Sequence, residues 1–286
     1  MSNPYYSEIK KLNGLADIKN IVEKWNVLSK NIKSTPAGLP ILLPEMLWVS
    51  KSGVGKTHLL KLISEYLYNQ KNLMEFYGTV KFFEFLMGYC SPNTEFTELR
   101  RFIDAVQQSA GFRSEFKGIV CIDIDEWIGH EEEKHFLTLL EYLSSNSDTW
   151  MIVFWISPQK EADAHNIEHI LSMFFRLDKA TIELPETTEL IKFVKQQLKE
   201  YELFFDGDAE KIITRTIEVL RENKYFDGYK TLAMLCQDIA YSVFTSKQSE
   251  AVVSNTVASL FSEDSDYIKR TIQKIEKKNV IGFGRG

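Results

Sequence analysis

The stretch Ser50-Lys51-Ser52-Gly53-Val54-Gly55-Lys56-Thr57 decides how this chain is read. An unbroken apolar run, Met46 to Val49, precedes it. Leu59, Leu60, Leu62, Ile63, Tyr66 and Leu67 follow it at the spacing of one helix face. A glycine-rich turn between a strand and a helix aims backbone N–H groups and a helix N-terminus at one point, and so makes an anion site. Gly53 and Gly55 let the backbone close around phosphate oxygens. Lys56 is placed to reach the β- and γ-phosphates of a nucleotide, and the Thr57 hydroxyl to ligate Mg²⁺. The binding set is thus Ser52, Gly53, Val54, Gly55, Lys56, Thr57 and His58. Ser50 departs from the pattern G-x-x-x-x-G-K-[ST], standing where the first glycine is expected.

Outward from this turn, short apolar runs alternate with helical patterns. Further strands are expected at Val80 to Met87, Ile119 to Ile122, Met151 to Ile156 and Ala180 to Leu184. Helices are expected through Phe96 to Val106 and Phe136 to Leu143, and one precedes the first strand through Ile18, Ile21, Val22, Trp25, Leu28 and Ile32. Apolar strands with little alternation, separated by helices, predict a parallel sheet covered on both faces. After Pro185 the strands stop and amphipathic helices take over: Thr188 to Leu203, Ala209 to Glu222, Thr231 to Phe244 and Val252 to Phe261. The expected division is an α/β domain over 1–185, a small helical domain over 186–263, and a C-terminal helix with a glycine-rich tail over 264–286.

Composition narrows the function classes. In 286 residues, 44% hydrophobic and 26% charged side chains are the mix of a globular chain, not a disordered one. Forty acidic residues against thirty-four basic ones give a net charge of −6, which disfavours nucleic acid as the main partner. Three widely spaced cysteines, a polar stretch from Met1 to Lys10 and no apolar run of about 18 residues lead to the expectation of a cytoplasmic protein without disulfides or membrane spans.

A phosphate loop needs carboxylates at the end of a neighbouring strand to hold the magnesium shell and polarise water. Gly118-Ile119-Val120-Cys121-Ile122-Asp123-Ile124-Asp125-Glu126 supplies them in two registers. In the favoured one Asp123 faces the Mg²⁺ water shell, and Glu126 or Asp125 polarises the attacking water. In the other, Asp125 serves the metal and Glu126 is the base.

With these parts in order the chain resembles an AAA+ ATPase, from Leu12 to about Leu260. Leu12-Asn13-Gly14-Leu15-Ala16-Asp17-Ile18-Lys19 is similar to the opening of the CbxX/sporulation-protein-K branch. That resemblance implies ATP as the nucleotide and Gly14, Leu15 and Ile18 as adenine contacts. It implies a sensor-1 role for Ser157, where the family more often has Asn or Thr, and an arginine finger at Arg176 in Phe174-Phe175-Arg176, with Arg100 and Arg101 as runners-up. Asp227-Gly228-Tyr229-Lys230 is similar to the sensor-2 helix start, with Lys230 in place of the usual arginine. Tyr89, after the second strand, falls where remodelling members carry a pore-loop aromatic.

The reading implied is a P-loop NTPase fold with a helical lid: an ATP-hydrolysing protein that assembles as a homo-oligomeric, hexameric ring and remodels a protein client. Alternatives are a nucleotide-gated switch or adaptor with weak activity, to which Ser50, Ile124 and Ser157 lean, and a nucleic-acid-loading ATPase. His165-Asn166-Ile167-Glu168-His169 also fits the zinc pattern H-x-x-E-H. It falls between sensor 1 and the finger, where the resemblance implies no metal, and reads as two surface histidines.

Overall fold

Strand β1 (Glu45–Ser50) is buried along its whole length, which demands cover on both faces and neighbours on both edges. The computed structural model describes residues 3–12, 15–33, 43–70, 73, 82–86, 118–145, 150–204, 207–223, 226–245 and 254–261. In it β1 pairs in parallel with β4 (Trp150–Ile156) on one side and β5 (Leu177–Ile182) on the other. Strand β3 (Gly118–Asp123) lies beyond β4, and β2 (Phe82–Leu86) beyond β3, giving the order β2-β3-β4-β1-β5. Parallel strands need long crossovers, and helices make them.

Before β1 come α1 (Pro4–Lys11) and α2 (Ala16–Lys33), and α3 (Lys56–Tyr68) follows it. Helix α4 (Lys134–Ser144) leads into β4, and α5 (His165–Phe174) into β5. One face of the sheet is closed by Phe136, Leu139, Leu140 and Leu143 of α4 and Ile167 and Leu171 of α5, against Val120, Ile122, Ile152 and Phe154. Helix α3 packs on β2 and β3, and α2 on β5, where the Asp17 carboxylate accepts the Thr181 N–H at 2.9 Å.

Helix α1 falls inside the stretch that sequence marks only as polar. Pro4 opens it, and the Asn3 side chain accepts the Tyr5 N–H and donates to the Tyr66 carbonyl of α3 at 3.0 Å. Strand β5 runs from Leu177 to Ile182 rather than Ala180 to Leu184. At the edge of the sheet it tolerates Asp178 and Lys179, which hide it from a search for apolar runs.

Contacts divide the chain into Met1–Lys51 with Lys56–Glu183, and Ser52–Gly55 with Leu184–Gly286. The second unit holds α6 (Thr187–Glu200), α7 (Gly207–Arg221), α8 (Gly228–Thr245) and α9 (Ser254–Leu260). Leu190, Val194 and Leu198 of α6 meet Ile213, Ile217 and Leu220 of α7 and Leu232, Leu235 and Ile239 of α8 in its core. Helix α8 starts at Gly228 rather than at the expected Thr231. Among the described residues no helix is long and apolar enough to cross a membrane. The helix expected at Phe96 to Val106, together with Tyr89, Arg100, Arg101 and Gly14, lies outside the described residues.

Glu45 opens β1 at the amino edge of the sheet and is 5% exposed. Burial pushes its carboxyl up to about 8, although the Ile152 N–H, which it accepts, opposes the rise. A folded-state value above the unfolded 4.5 means that the native chain binds the extra proton between those limits. Stability therefore falls as pH rises from about 4.5 to about 8, by up to about 1.4 kcal/mol per pH unit. Glu45→Gln keeps an acceptor for Ile152 and removes the proton. Denaturant unfolding across this range is expected to show the variant more stable than wild type at pH 8, with a shallower pH slope.

Candidate nucleotide site

The ends of β1, β3 and β4 lie level because their pairing is in register. Asp123 pairs with Trp155, Trp48 also pairs with Trp155, and Val49 with Ile156. The turn after β1, the acids after β3 and the residue after β4 therefore leave the sheet at one carboxyl edge, where open parallel sheets place ligands.

In the turn, Gly53 and Gly55 take φ of +75° and +89°, conformations that side chains resist. Gly53 is further constrained by packing within the helical unit. Its carbonyl accepts the Tyr229 N–H at 3.0 Å, and a Cβ on Gly53 would lie 1.9 Å from the Asp227 carbonyl oxygen. Helix α3 begins at Lys56, with Thr57 and His58 exposed in its first turn and no carboxylate there, as an anion site requires. Ser52 is exposed and Val54 buried.

Ser50, the departure from the pattern, is the last residue of β1 and fully buried. Its hydroxyl accepts the Trp155 indole N–H at 2.6 Å, and its carbonyl accepts the same donor at 3.0 Å. The Trp155 ring in turn carries the Lys56 ammonium 3.7 Å above its centroid. Trp155 is a residue of the candidate site that the sequence motifs miss. Its one signal there is a ring with an N–H donor near the end of an otherwise apolar strand.

Asp123 ends β3 and accepts the Asp125 N–H at 3.0 Å. Burial pushes its carboxyl up to about 6. The Asp125 and Glu126 charges add to the rise, while the Asp125 N–H and Lys56 oppose it. Asp125 and Glu126 stand in the 3₁₀ turn Asp125–Trp127. The Asp125 carboxylate accepts the Ser157 N–H at 2.6 Å, which ties the acid to the residue ending β4. Glu126 is exposed and Ile124 fully buried. A half-buried carboxylate crowded by two others is a group that a cation relieves, so these residues fit Mg²⁺. The glycine conformations and the acid-free helix start likewise fit a phosphate chain.

The remaining candidates lie on other elements. Leu15 and Ile18 are buried at the start of α2. Arg176 is exposed just before β5, and its carbonyl accepts the Glu45 N–H at 2.8 Å. It sits at the amino edge, about 20 Å of strand from the carboxyl end of β5. Lys230, in the helical unit, pairs with Asp227 at 3.3 Å. His165 and His169 are exposed, and Glu168 between them pairs with Lys179 at 2.7 Å.

No protein-family model and no curated protein matches the chain. Solved structures match it in fold. A mutant form of Thermotoga maritima RuvB superposes with a TM-score of 0.52 at 13% identity, covering 94% of this chain and 79% of that one. PCH-2 of C. elegans gives 0.53 at 14% identity, over 91% and 69%. RuvB of T. maritima described as a Holliday junction branch migration motor gives 0.52 at 12%, over 94% and 77%. The chain shares the fold of these structures, a parallel sheet flanked by helices. At such identities RuvB and PCH-2 share the fold with this chain, and the chemistry is argued from its own residues.

Gly53 and Gly129 separate packing from backbone strain. Both have positive φ, but a Cβ on Gly129 meets nothing within 4 Å. Gly129→Ala is expected to cost about 1 kcal/mol and Gly53→Ala about 2–5 kcal/mol. Thermal unfolding of the two variants side by side measures the difference, and equal losses would contradict the close approach of Asp227.

Proposed function

We propose that the chain binds and hydrolyses ATP with Mg²⁺ and works as a homo-oligomeric ring that remodels a protein partner. The observation that carries the nucleotide part of this reading is the register of β1, β4 and β3, which brings the turn leading to Lys56 and the acids Asp123, Asp125 and Glu126 off the sheet at one carboxyl edge. Ser52 to Lys56 hold the phosphates through backbone N–H groups and the ammonium. Thr57 and Asp123 hold the magnesium ion, Asp123 through water. The ion, when bound, neutralises charge on the phosphate oxygens.

The proton of the attacking water needs an acceptor. Ile124 is apolar and buried, and Asp125 is engaged by Ser157, so Glu126 is assigned this role. ATP and water then give ADP and phosphate. Because Glu126 stands three residues past the strand-end acid in an exposed turn, hydrolysis is slow. The same observation favours the second reading, a nucleotide-gated switch. Single-turnover against multiple-turnover hydrolysis at saturating ATP separates the two, since only a motor keeps cycling.

The ring is supported by Arg176, which projects from the edge of the sheet remote from its own phosphate loop. An exposed guanidinium there suits a neighbouring subunit's γ-phosphate, as the resemblance to AAA+ proteins implies. The likeness of Leu12 to Lys19 to the CbxX/sporulation-protein-K branch supports Gly14, Leu15 and Ile18 as the adenine side of the site, and the likeness around Asp227 supports Lys230 as the lid's cation. RuvB, described as a branch migration motor, keeps a nucleic-acid partner among the test's outcomes. Salt-dependent titration with DNA decides it, and the net charge of −6 speaks against binding.

Lys56→Ala is expected to abolish ATP binding in a titration with a fluorescent ATP analogue. Arg176→Ala is expected to leave that affinity unchanged and to lower turnover by roughly 10³-fold. Specific activity is expected to rise with protein concentration as rings assemble. Turnover strictly proportional to protein and indifferent to Arg176 would remove the ring.

A further inference from the structure

The triad of Ser50, Trp155 and Lys56 has no counterpart in the roles assigned so far. Lys56 lies over the face of Trp155, and Trp155 is fixed by its own N–H, which Ser50 receives with both hydroxyl and carbonyl oxygens. An indole face attracts an ammonium through its quadrupole, most strongly where water is excluded. Here the ring is half-buried at the end of β4, and its anchor Ser50 is fully buried. Glycine at position 50 would supply only the carbonyl. The serine hydroxyl supplies the shorter of the two bonds, which explains the departure from the pattern in terms of Trp155.

We propose that Trp155 is a positioning residue for the phosphate-binding lysine: its ring is the berth of Lys56 in the nucleotide-free protein, and Ser50 sets the ring's orientation. The proposal deepens the nucleotide reading above and rests on it for the step of release. When the β- and γ-phosphates enter, the ammonium exchanges the π-face for phosphate oxygens. Binding then has to displace the cation–π contact, which lowers ATP affinity, and Trp155 loses a cation from its face. The indole thereby reports occupancy of the loop at the end of the strand that Ser157 follows.

The docking is measurable without nucleotide. Tryptophan emission of the full chain is expected to change on Lys56→Met, and the same substitution in a Trp155→Phe background is expected to leave emission unaltered. Identical spectra for wild type and Lys56→Met overturn the berth. Release is measured by adding Mg-ATP to wild type, which is expected to reproduce the Lys56→Met change. Binding is followed independently with a fluorescent ATP analogue. Binding without an emission change overturns the release step. Absence of binding overturns release and the nucleotide reading together, and the Lys56→Met comparison still decides the docking.

Trp155→Leu removes the berth. Its Kd for Mg-ATP is expected to tighten by roughly 2- to 30-fold, the range of a cation–π contact, with kcat changing less than Kd. Trp155→Phe, which keeps a π-face, is expected to fall between Trp155→Leu and wild type. A tryptophan serving only as packing predicts weaker or unchanged binding in Trp155→Leu, and either result overturns the proposal.

Discussion

The register between β1, β4 and β3 is the constraint on which the site depends. Side chains alternate faces along a strand, so a slip of one residue in β4 would carry Trp155 to the opposite face of the sheet. Ser50 would lose its donor and Lys56 its ring, while Asp123 would face a different neighbour. The register is held by burial. Val49 of β1, Ile152, Phe154 and Ile156 of β4 and Val120 and Ile122 of β3 share one core and are all 0% exposed, so no shifted pairing keeps the same core. In β1, β3 and β4 the polar groups are confined to the strand ends because these strands are buried along their length. Glu45 at the amino edge carries the cost of this rule, and its raised carboxyl shows what burial does to a charge.

The frame of this arrangement is legible in the sequence wherever burial leaves a pattern. Strands covered on both faces read as apolar runs, and the runs at β1, β3 and β4 end within a residue or so of the strands themselves. Helices α2 and α3 declare themselves by one apolar stripe. Edge position erases that signal. β5 sets Asp178 and Lys179 ahead of buried Ala180 and Ile182, so the apolar run starts late and points too far along the chain. The α1 helix is held by a cap on Asn3 and a tie to Tyr66, which no periodicity reveals.

The site is legible only where its parts are contiguous. Gly53 to Thr57 carry their chemistry in neighbouring letters. Ser50 and Trp155 stand 105 residues apart, and their bond exists because β4 inserts beside β1 instead of following it in space. From sequence, Ser50 is therefore a missing glycine. With the strand order known it is an acceptor. The two acid registers are ambiguous for a related reason. Nothing in alternating Ile122-Asp123-Ile124-Asp125 marks where the strand ends, and the end falls at Asp123.

The same end point sets what meets Ser157, the proposed sensor-1 residue. Ser157 meets the acids through its backbone N–H, which donates to Asp125, rather than through its hydroxyl. A backbone donor is indifferent to side-chain identity, so the absence of Asn or Thr leaves this tie intact. Asp125 in turn donates its own N–H to Asp123, and Ile124 donates to the Trp155 carbonyl at 3.0 Å. The strand-end acid, the turn acid and the end of β4 thus form one hydrogen-bonded chain beside the Trp155 ring.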